Sequence, residues 1–174
     1  WYFKHQKEDE TICFIVGRAE DKAFIQIITK DFSKTFNYAL EDYRVSYTMT
    51  QIRIGESIFT RDGCIINIHL DDMIIRGRLS YGRLTMLKSD IMGIFRYVPW
   101  MECRHGVVSM DHNVTGNVEI NGEKIDLTGG KGYIECDKGR SFPKWYLWCQ
   151  CNSFETKTSV MIAVAKIPFL GLSF

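Results

Sequence analysis

The stretch that decides the fold is Ser57-Ile58-Phe59-Thr60-Arg61-Asp62-Gly63-Cys64-Ile65-Ile66-Asn67-Ile68-His69-Leu70-Asp71-Asp72-Met73-Ile74-Ile75-Arg76-Gly77-Arg78-Leu79. It reads as three short strands, Ser57 to Arg61, Cys64 to Leu70 and Met73 to Leu79, rich in Ile and joined by Asp-Gly and Asp-Asp turns. Asp-Gly supplies the positive φ that a two-residue hairpin turn requires. The same grammar extends in both directions. Thr11 to Val16, Ala23 to Thr29 and Ser46 to Ile54 read as strands, and Val118-Glu119-Ile120 turns through Asn121-Gly122 into Lys124 to Leu127. Gly77, Gly82, Gly116 and the cluster Gly129-Gly130-Lys131-Gly132 punctuate the rest. Strand signals outnumber helix signals throughout. They predict a mainly β chain, an antiparallel barrel or strongly bent sheet with few short helices. A barrel of about eight strands is wide enough to hold one ligand.

Between Leu84 and Met101 the alternation stops, and Ile91-Met92-Gly93-Ile94-Phe95-Arg96-Tyr97-Val98-Pro99-Trp100-Met101 is apolar and aromatic. Such a segment either plugs a core or closes over an apolar cavity, where Trp100 would touch a ligand.

Composition bounds the partners. The 174 residues, 45% of them hydrophobic, suffice for a substantial core. Twenty-two Lys and Arg balance 21 Asp and Glu for a net charge of +1, which disfavours a nucleic-acid partner. No run approaches the roughly 20 apolar residues that cross a bilayer as a helix, so a cytoplasmic protein with no transmembrane segment is expected, with peripheral membrane contact open. The opening Trp1-Tyr2-Phe3 and the apolar close Ile167 to Phe174 read as ends cut from something longer. The six cysteines lack framework spacing. Cys149 and Cys151 share a strand face but have no second Cys or His pair, so neither a disulfide scaffold nor a metal site is expected.

Chemistry concentrates in Gly132 to Phe154, where acids, a guanidinium and aromatics share one strand-loop-strand stretch. At a period of two, Tyr133, Glu135 and Asp137 occupy one face and Tyr146, Trp148, Gln150 and Asn152 another. The alternative is a solvated turn in which Lys138 and Arg140 pair with the acids. Glu135 follows the strand opening Gly132-Tyr133-Ile134 and so has a fixed direction, and burial would raise its pKa. In the next strand upstream, His105, Val107, Ser109 and Asp111 form one parity, and Val108, Met110, His112 and Val114 the other. His112 thus reads either as a satisfied core residue or as a base. His5 and His69 read as surface residues.

Several blocks in this order are similar to a known family. Trp1-Tyr2-Phe3-Lys4, Asp90-Ile91-Met92-Gly93, Met101-Glu102-Cys103-Arg104-His105-Gly106, Gly129 to Glu135, Gly139-Arg140-Ser141-Phe142-Pro143 and Trp148-Cys149-Gln150-Cys151-Asn152 resemble the tocopherol cyclase family, especially its bacterial-type members. The resemblance runs nearly end to end. It implies a lipocalin-like barrel, with residues 1–174 the N-terminal barrel of a longer two-barrel protein. It also implies an enzyme that protonates a prenyl double bond and closes a quinol hydroxyl onto the cation, an intramolecular cyclase needing no cofactor. Glu135 matches the first acid of the Tyr-x-Asp-His-x-Trp-Gly element of related carotenoid hydratases, and Asp137 is an acid of this family's own version. Lys138 stands where cyclase relatives carry Trp, which implies weaker shielding of a carbocation. The expected catalytic set is therefore Glu135 as donor, Asp137 as second acid and His112 as the group that orients or deprotonates the hydroxyl, a role Gln150 can also fill. Tyr133, Arg140, Tyr146, Trp148, Gln150, Asn152 and Trp100 are the expected ligand contacts. The other reading is a barrel that binds a lipid or prenyl ligand and performs no chemistry. A third is a structural half whose function lies in the remainder.

Overall fold

A computed structural model describes residues 1–46, 50–70, 72–167 and 171–173. Its strands are β1 (Tyr2–Lys7), β2 (Glu10–Arg18), β3 (Ala23–Thr29), β4 (Ser33–Tyr38), β5 (Tyr43–Ser46), β6 (Gln51–Ile54), β7 (Ser57–Thr60), β8 (Gly63–Leu70), β9 (Met73–Tyr81), β10 (Cys103–Ile120), β11 (Glu123–Asp126), β12 (Gly130–Gly139), β13 (Tyr146–Cys151), β14 (Val160–Ile167) and β15 (Gly171–Ser173). Two 3₁₀ turns, Leu40–Asp42 and Gly93–Tyr97, are the helical pieces among the described residues. The first twelve strands form one antiparallel sheet in the order β4-β3-β2-β1-β12-β10-β9-β8-β7-β6-β5, with β11 added to β10. β13, β14 and β15 form a second sheet.

The closed barrel expected from the strand pattern does not form. β4 and β5 end the sheet without pairing to each other among the described residues, so the architecture is the other expected form, a strongly bent open sheet. What bends it is visible in β10. This 18-residue strand pairs with β12 from Cys103 to Val114 and with β9 from Val114 to Ile120, and its register with β12 slips twice, between Val107 and Ser109 and between Ser109 and His112. Each slip bulges and twists the strand.

The concave face holds the core. Phe3, Ile12, Phe14, Val16, Ile25, Ile27, Phe36, Ile52, Ile54, Phe59, Ile66, Ile68, Val114 and Ile134 are buried in one cluster drawn from strands across the whole sheet. Side chains this size contribute about 1.5–3 kcal/mol each on burial. The rings of Phe3 and Phe14 meet Phe59 at 5.3 and 5.8 Å, so first and middle strands share one packing unit.

Most strand expectations hold in position. Ala23 to Thr29 is β3 as read, and β2, β7, β8 and β9 begin or end within two residues of their expected limits. The Asn121-Gly122 turn has positive φ at both residues. The Asp62-Gly63 turn does not: Asp62 is absent from the positive-φ residues. Gly63 is required there for another reason, since a Cβ on it would lie 2.1 Å from the Leu79 carbonyl oxygen. Ser46 to Ile54 is not one strand, because Val45 pairs with Ile52 and Ser46 with Gln51 in a hairpin. Its residues 47–49 lie outside the described residues, as do Asp71 of the Asp-Asp turn and 168–170 and 174 of the apolar close. The 84–101 segment contributes no residue to the core cluster: its 3₁₀ turn has no fully buried side chain, and Ile94, Tyr97 and Trp100 are exposed. His5 is fully buried, contrary to its reading as a surface residue, because Phe3 and His5 point to the concave side of β1. His69 is exposed as expected.

Candidate functional site

The pleat places the acids on the outer side of the sheet. Along β12, Gly132 and Ile134 pair with His5 and Phe3, which face the concave core. Tyr133 and Glu135 therefore point the other way, beside Lys4 and Tyr2 of β1 and Val107 of β10. That outer face would be solvated in a lone sheet, yet Glu135 is 6% exposed and Tyr133 fully buried. The second sheet supplies the cover. Trp148 of β13 donates its indole N–H to Glu135 Oε2 at 3.1 Å, and Asn152 just after β13 is 1% exposed, donating to Gly132 O at 3.0 Å and to Asp111 Oδ1 at 3.2 Å. Lys4 Nζ donates to Gln150 Oε1 and Lys131 Nζ to Asn152 O, both at 3.0 Å. The two faces deduced from the strand period thus meet each other.

Around Glu135 the geometry is specific. Tyr133 Oη donates to Glu135 Oε2 at 2.7 Å, His105 Nε2 lies 3.6 Å from the same oxygen, and His105 Nδ1 is 2.5 Å from Asp137 Oδ1. Among the described residues, every polar partner of Glu135 gathers on Oε2, which leaves Oε1 to carry a proton. Tyr2 meets the Trp148 ring edge-on at 5.5 Å, and Tyr133 lies 6.2 Å from Trp148, so aromatic rings wall the carboxyl. Burial lifts the Glu135 pKa above the usual carboxylate range, with the Asp137 charge adding to it against the Tyr133 and Trp148 hydrogen bonds and the His105 charge. For His105 burial acts downward, but the hydrogen bond and charge of Asp137 and the charge of Glu135 outweigh it, and the imidazole is held above its ordinary value. Its Nε2 and the Nε2 amide of Gln150 are buried without a hydrogen-bond partner.

His112 is not part of this cluster. The first slip in β10 turns Ser109 to the concave face, and His112, on the parity opposite to His105, also faces that side, where it sits opposite Gly132 and is 2% exposed. A Cβ on Gly132 would lie 2.2 Å from His112 Nε2, so only glycine leaves space for the ring. There His112 Nδ1 is 3.0 Å from Ser109 Oγ and its ring lies 4.6 Å from that of Tyr81. His5 Nε2 is 2.7 Å from the Tyr81 hydroxyl, and Tyr81 donates to Cys64 Sγ at 3.4 Å. Burial pushes His112 down to about 4 and His5 to about 3, so both stay neutral in the fold.

Strand parity alone missed His105 as a member of the acid cluster. It belongs to the run Met101 to Gly106 that the sequence singles out, and its register with Asp137 was the missing signal. Tyr133 and Trp148 bond Glu135 itself, while Gln150 and Asn152 join the second sheet to Lys4, Gly132 and Asp111 on the same outer side. Tyr146, 60% exposed, and Trp100, 51% exposed, do not join them, and Arg140 is exposed on the loop after β12. Lys138 lies on the opposite parity from Glu135 at an exposed strand end. A cavity of about 770 Å³ lies elsewhere, bordered by Tyr38, Asp42, Glu56, Asn67, His69 and Arg76, and touches none of these residues.

His105, Glu135 and Asp137 each offer a ligand atom within 4.8 Å of the others, a grouping that the cysteine and histidine spacing did not reveal. The short His105–Asp137 contact already accounts for two of the three as a hydrogen-bonded pair.

A bent antiparallel sheet with a buried carboxyl walled by aromatics defines the class to which the chain belongs, a mainly β protein whose second sheet covers an acid on the outer face of the first. A family model described as tocopherol cyclase-like matches residues 3–167, and the chain belongs to the tocopherol cyclase-like family. No solved structure matches the chain significantly. Among the described residues, no helix is long and apolar enough to cross a membrane.

Proposed function

We propose that the protein is an acid catalyst that isomerises a prenylated quinol to a chromanol, with Glu135 as proton donor. The observation that carries this reading is the buried Glu135 carboxyl, its acidity lowered by desolvation and its hydrogen bonds gathered on one oxygen. An alkene is a very weak base, so its protonation demands an acid that is neutral, dry and fixed. In the step, the O–H bond of Glu135 breaks and a C–H bond forms at the less substituted alkene carbon. The tertiary cation is then captured by the phenolic oxygen, forming the C–O bond. The phenolic proton returns to the Glu135 carboxylate, so the cycle closes with no net change of protons or electrons.

The surroundings support each step. The rings of Tyr2, Tyr133 and Trp148 offer faces to a cation, each worth about 1–2 kcal/mol when dry. His105 faces the carboxylate that the transfer leaves, and Asp137 holds its ring in position. The exposed position of Lys138 keeps its charge off the cation, and Trp148 supplies the indole from the facing sheet.

A second reading, a carrier of a lipid or prenyl ligand without chemistry, draws on the unpartnered buried Nε2 atoms of His105 and Gln150, which suit a bound hydroxyl equally well. The resemblance to two-barrel relatives also makes the second sheet the opening of a further half, a proposal that the exposed Leu147 and Ile162 support.

The test feeds prenylated quinols to the protein in D2O and reads products by mass spectrometry. The cyclase reading expects an isomeric chromanol with one deuterium on carbon, lost in Glu135→Gln while substrate still quenches tryptophan fluorescence. Undiminished turnover in Glu135→Gln removes Glu135 from the role, and saturable binding without product favours the carrier.

A further inference from the structure

Away from the acid, one end of the main sheet has a composition that its own fold does not use. β10 begins and β12 ends there, with Cys103 paired to Gly139 and the amides of Arg140 and Ser141 both donating to the Glu102 carbonyl, at 2.9 and 3.5 Å. The chain before β10 and the chain after β12 therefore leave the sheet side by side. Both are apolar and uncovered: Ile94 is 77% exposed, Tyr97 71%, Phe142 65%, Trp100 51% and Trp145 50%. Single exposed apolar residues are ordinary, but five large ones on two segments that leave the same end of the sheet concentrate apolar surface there.

The charges around this surface are one-sided. Residues 93–104 and 138–147 hold Arg96, Arg104, Lys138, Arg140 and Lys144 against the single acid Glu102, within a chain whose total is 22 cations to 21 acids. Arg104 and Lys138 stand directly opposite each other across β10 and β12, a placement that raises the local positive potential. The Arg96 guanidinium lies 4.6 Å over the Tyr97 ring, which joins cation and aromatic in one unit. Trp and Tyr at the level of lipid headgroups, flanked by Lys and Arg, form the pattern of a surface seated at a bilayer interface. A protein-binding patch would have its charges depleted toward the centre rather than interleaved with the aromatics.

We propose that this end of the sheet, formed by residues 93–104 and 138–147, docks on an anionic lipid surface, with Ile94, Trp100 and Phe142 entering the headgroup layer and Arg96, Arg140 and Lys144 meeting lipid phosphates. The inference stands on exposure and charge, and it holds whichever chemistry Glu135 performs.

The test is co-sedimentation of the complete protein with vesicles of phosphatidylcholine containing 30% phosphatidylglycerol, and with vesicles of phosphatidylcholine alone. Binding is expected to the anionic vesicles and to be far weaker to the neutral ones. Each cation removed should weaken it about fivefold, so Arg96→Glu, Arg140→Glu and Lys144→Glu together should cost more than a hundredfold. Trp100→Ala should weaken binding severalfold and reduce the blue shift of tryptophan emission. All four residues are exposed, so unfolding temperatures should not change; salt titration of the unaltered protein, which should release it as ionic strength rises, is an independent readout. Equal binding to both vesicle types, no binding, or binding indifferent to salt would overturn the proposal. So would a self-association abolished by Trp100→Ala without vesicle binding, which would make this surface a contact between copies.

Discussion

Strand β12 carries two chemistries back to back. On its concave side, Gly132 and Ile134 face an apolar core into which His5, Tyr81 and His112 are folded as a neutral polar island. On its outer side, Tyr133, Glu135 and Asp137 face indole, imidazole and amide groups brought by β10 and the second sheet. Both sides contain buried histidine, yet desolvation alone governs His112 and leaves it neutral, while the hydrogen bond and charge of Asp137 outweigh burial at His105 and hold it above its ordinary value. Residue type does not assign the role; the charges within a few ångströms do.

The comparison is broken most forcefully by substitutions that remove one side's defining group. Glu135→Gln keeps an acceptor for Tyr133 and Trp148 but cannot give up a proton, so turnover of a prenylated quinol should fall by about 10²–10⁴-fold with the thermal unfolding profile preserved. On the concave side, Phe59→Ala should do the reverse, lowering unfolding free energy by about 3–5 kcal/mol in urea titrations through the void left beside Phe3 and Phe14.

Acid should separate the faces as well. His112 is depressed to about 4 in the fold, below its unfolded value of about 6.5, so its stabilising contribution is complete above pH 6.5 and is lost as pH falls toward 4. The loss should be on the order of 3 kcal/mol, with His5 adding to it in the same direction, and His112→Gln should flatten the stability profile over that window. His105 behaves oppositely: its raised value contributes stability below about pH 6.5 that disappears as pH rises through the folded value. Asp137→Asn removes the charge that holds His105 up while keeping an acceptor for its ring, and should reduce turnover about tenfold while moving the alkaline limb of its pH profile downward. The smallest effect is expected from Trp148→Phe, which deletes one donor to Glu135 and should cost about 1 kcal/mol of stability, with turnover falling only severalfold.

These contrasts also mark what the sequence made legible. Alternation and turn residues located β3, β8 and β9, because a strand with one buried face writes its period into the chain. They also predicted that Tyr133 and Glu135 would share a face and that Trp148, Gln150 and Asn152 would share another. Parity along β10 put His105 and His112 on opposite faces, as they are, but failed at Ser109, which the first bulge turns inward, and it could not supply the register that sets His105 against Asp137. Barrel closure was equally out of reach, since it depends on whether β4 and β5 pair, and nothing in either strand records the other. His5 was misread because one residue near a chain end says little about what folds over it, here Phe14 and Tyr81. The same limit applies to Tyr146 and Trp100, aromatics whose composition suggested a ligand wall and whose positions are exposed.

The central claim is that the outer face of β12 holds the Glu135 carboxyl above the ordinary glutamate range. Its most direct test is a ¹³C NMR titration of protein labelled at the glutamate side-chain carboxyl, with the Glu135 resonance identified by its absence from Glu135→Gln. The account predicts a carboxyl that titrates above the ordinary glutamate value of about 4.3 and moves toward that value when Trp148→Ala opens the site. A Glu135 signal that titrates at or below 4.3 would contradict it, leaving an ordinary carboxylate in a structural ion pair with His105.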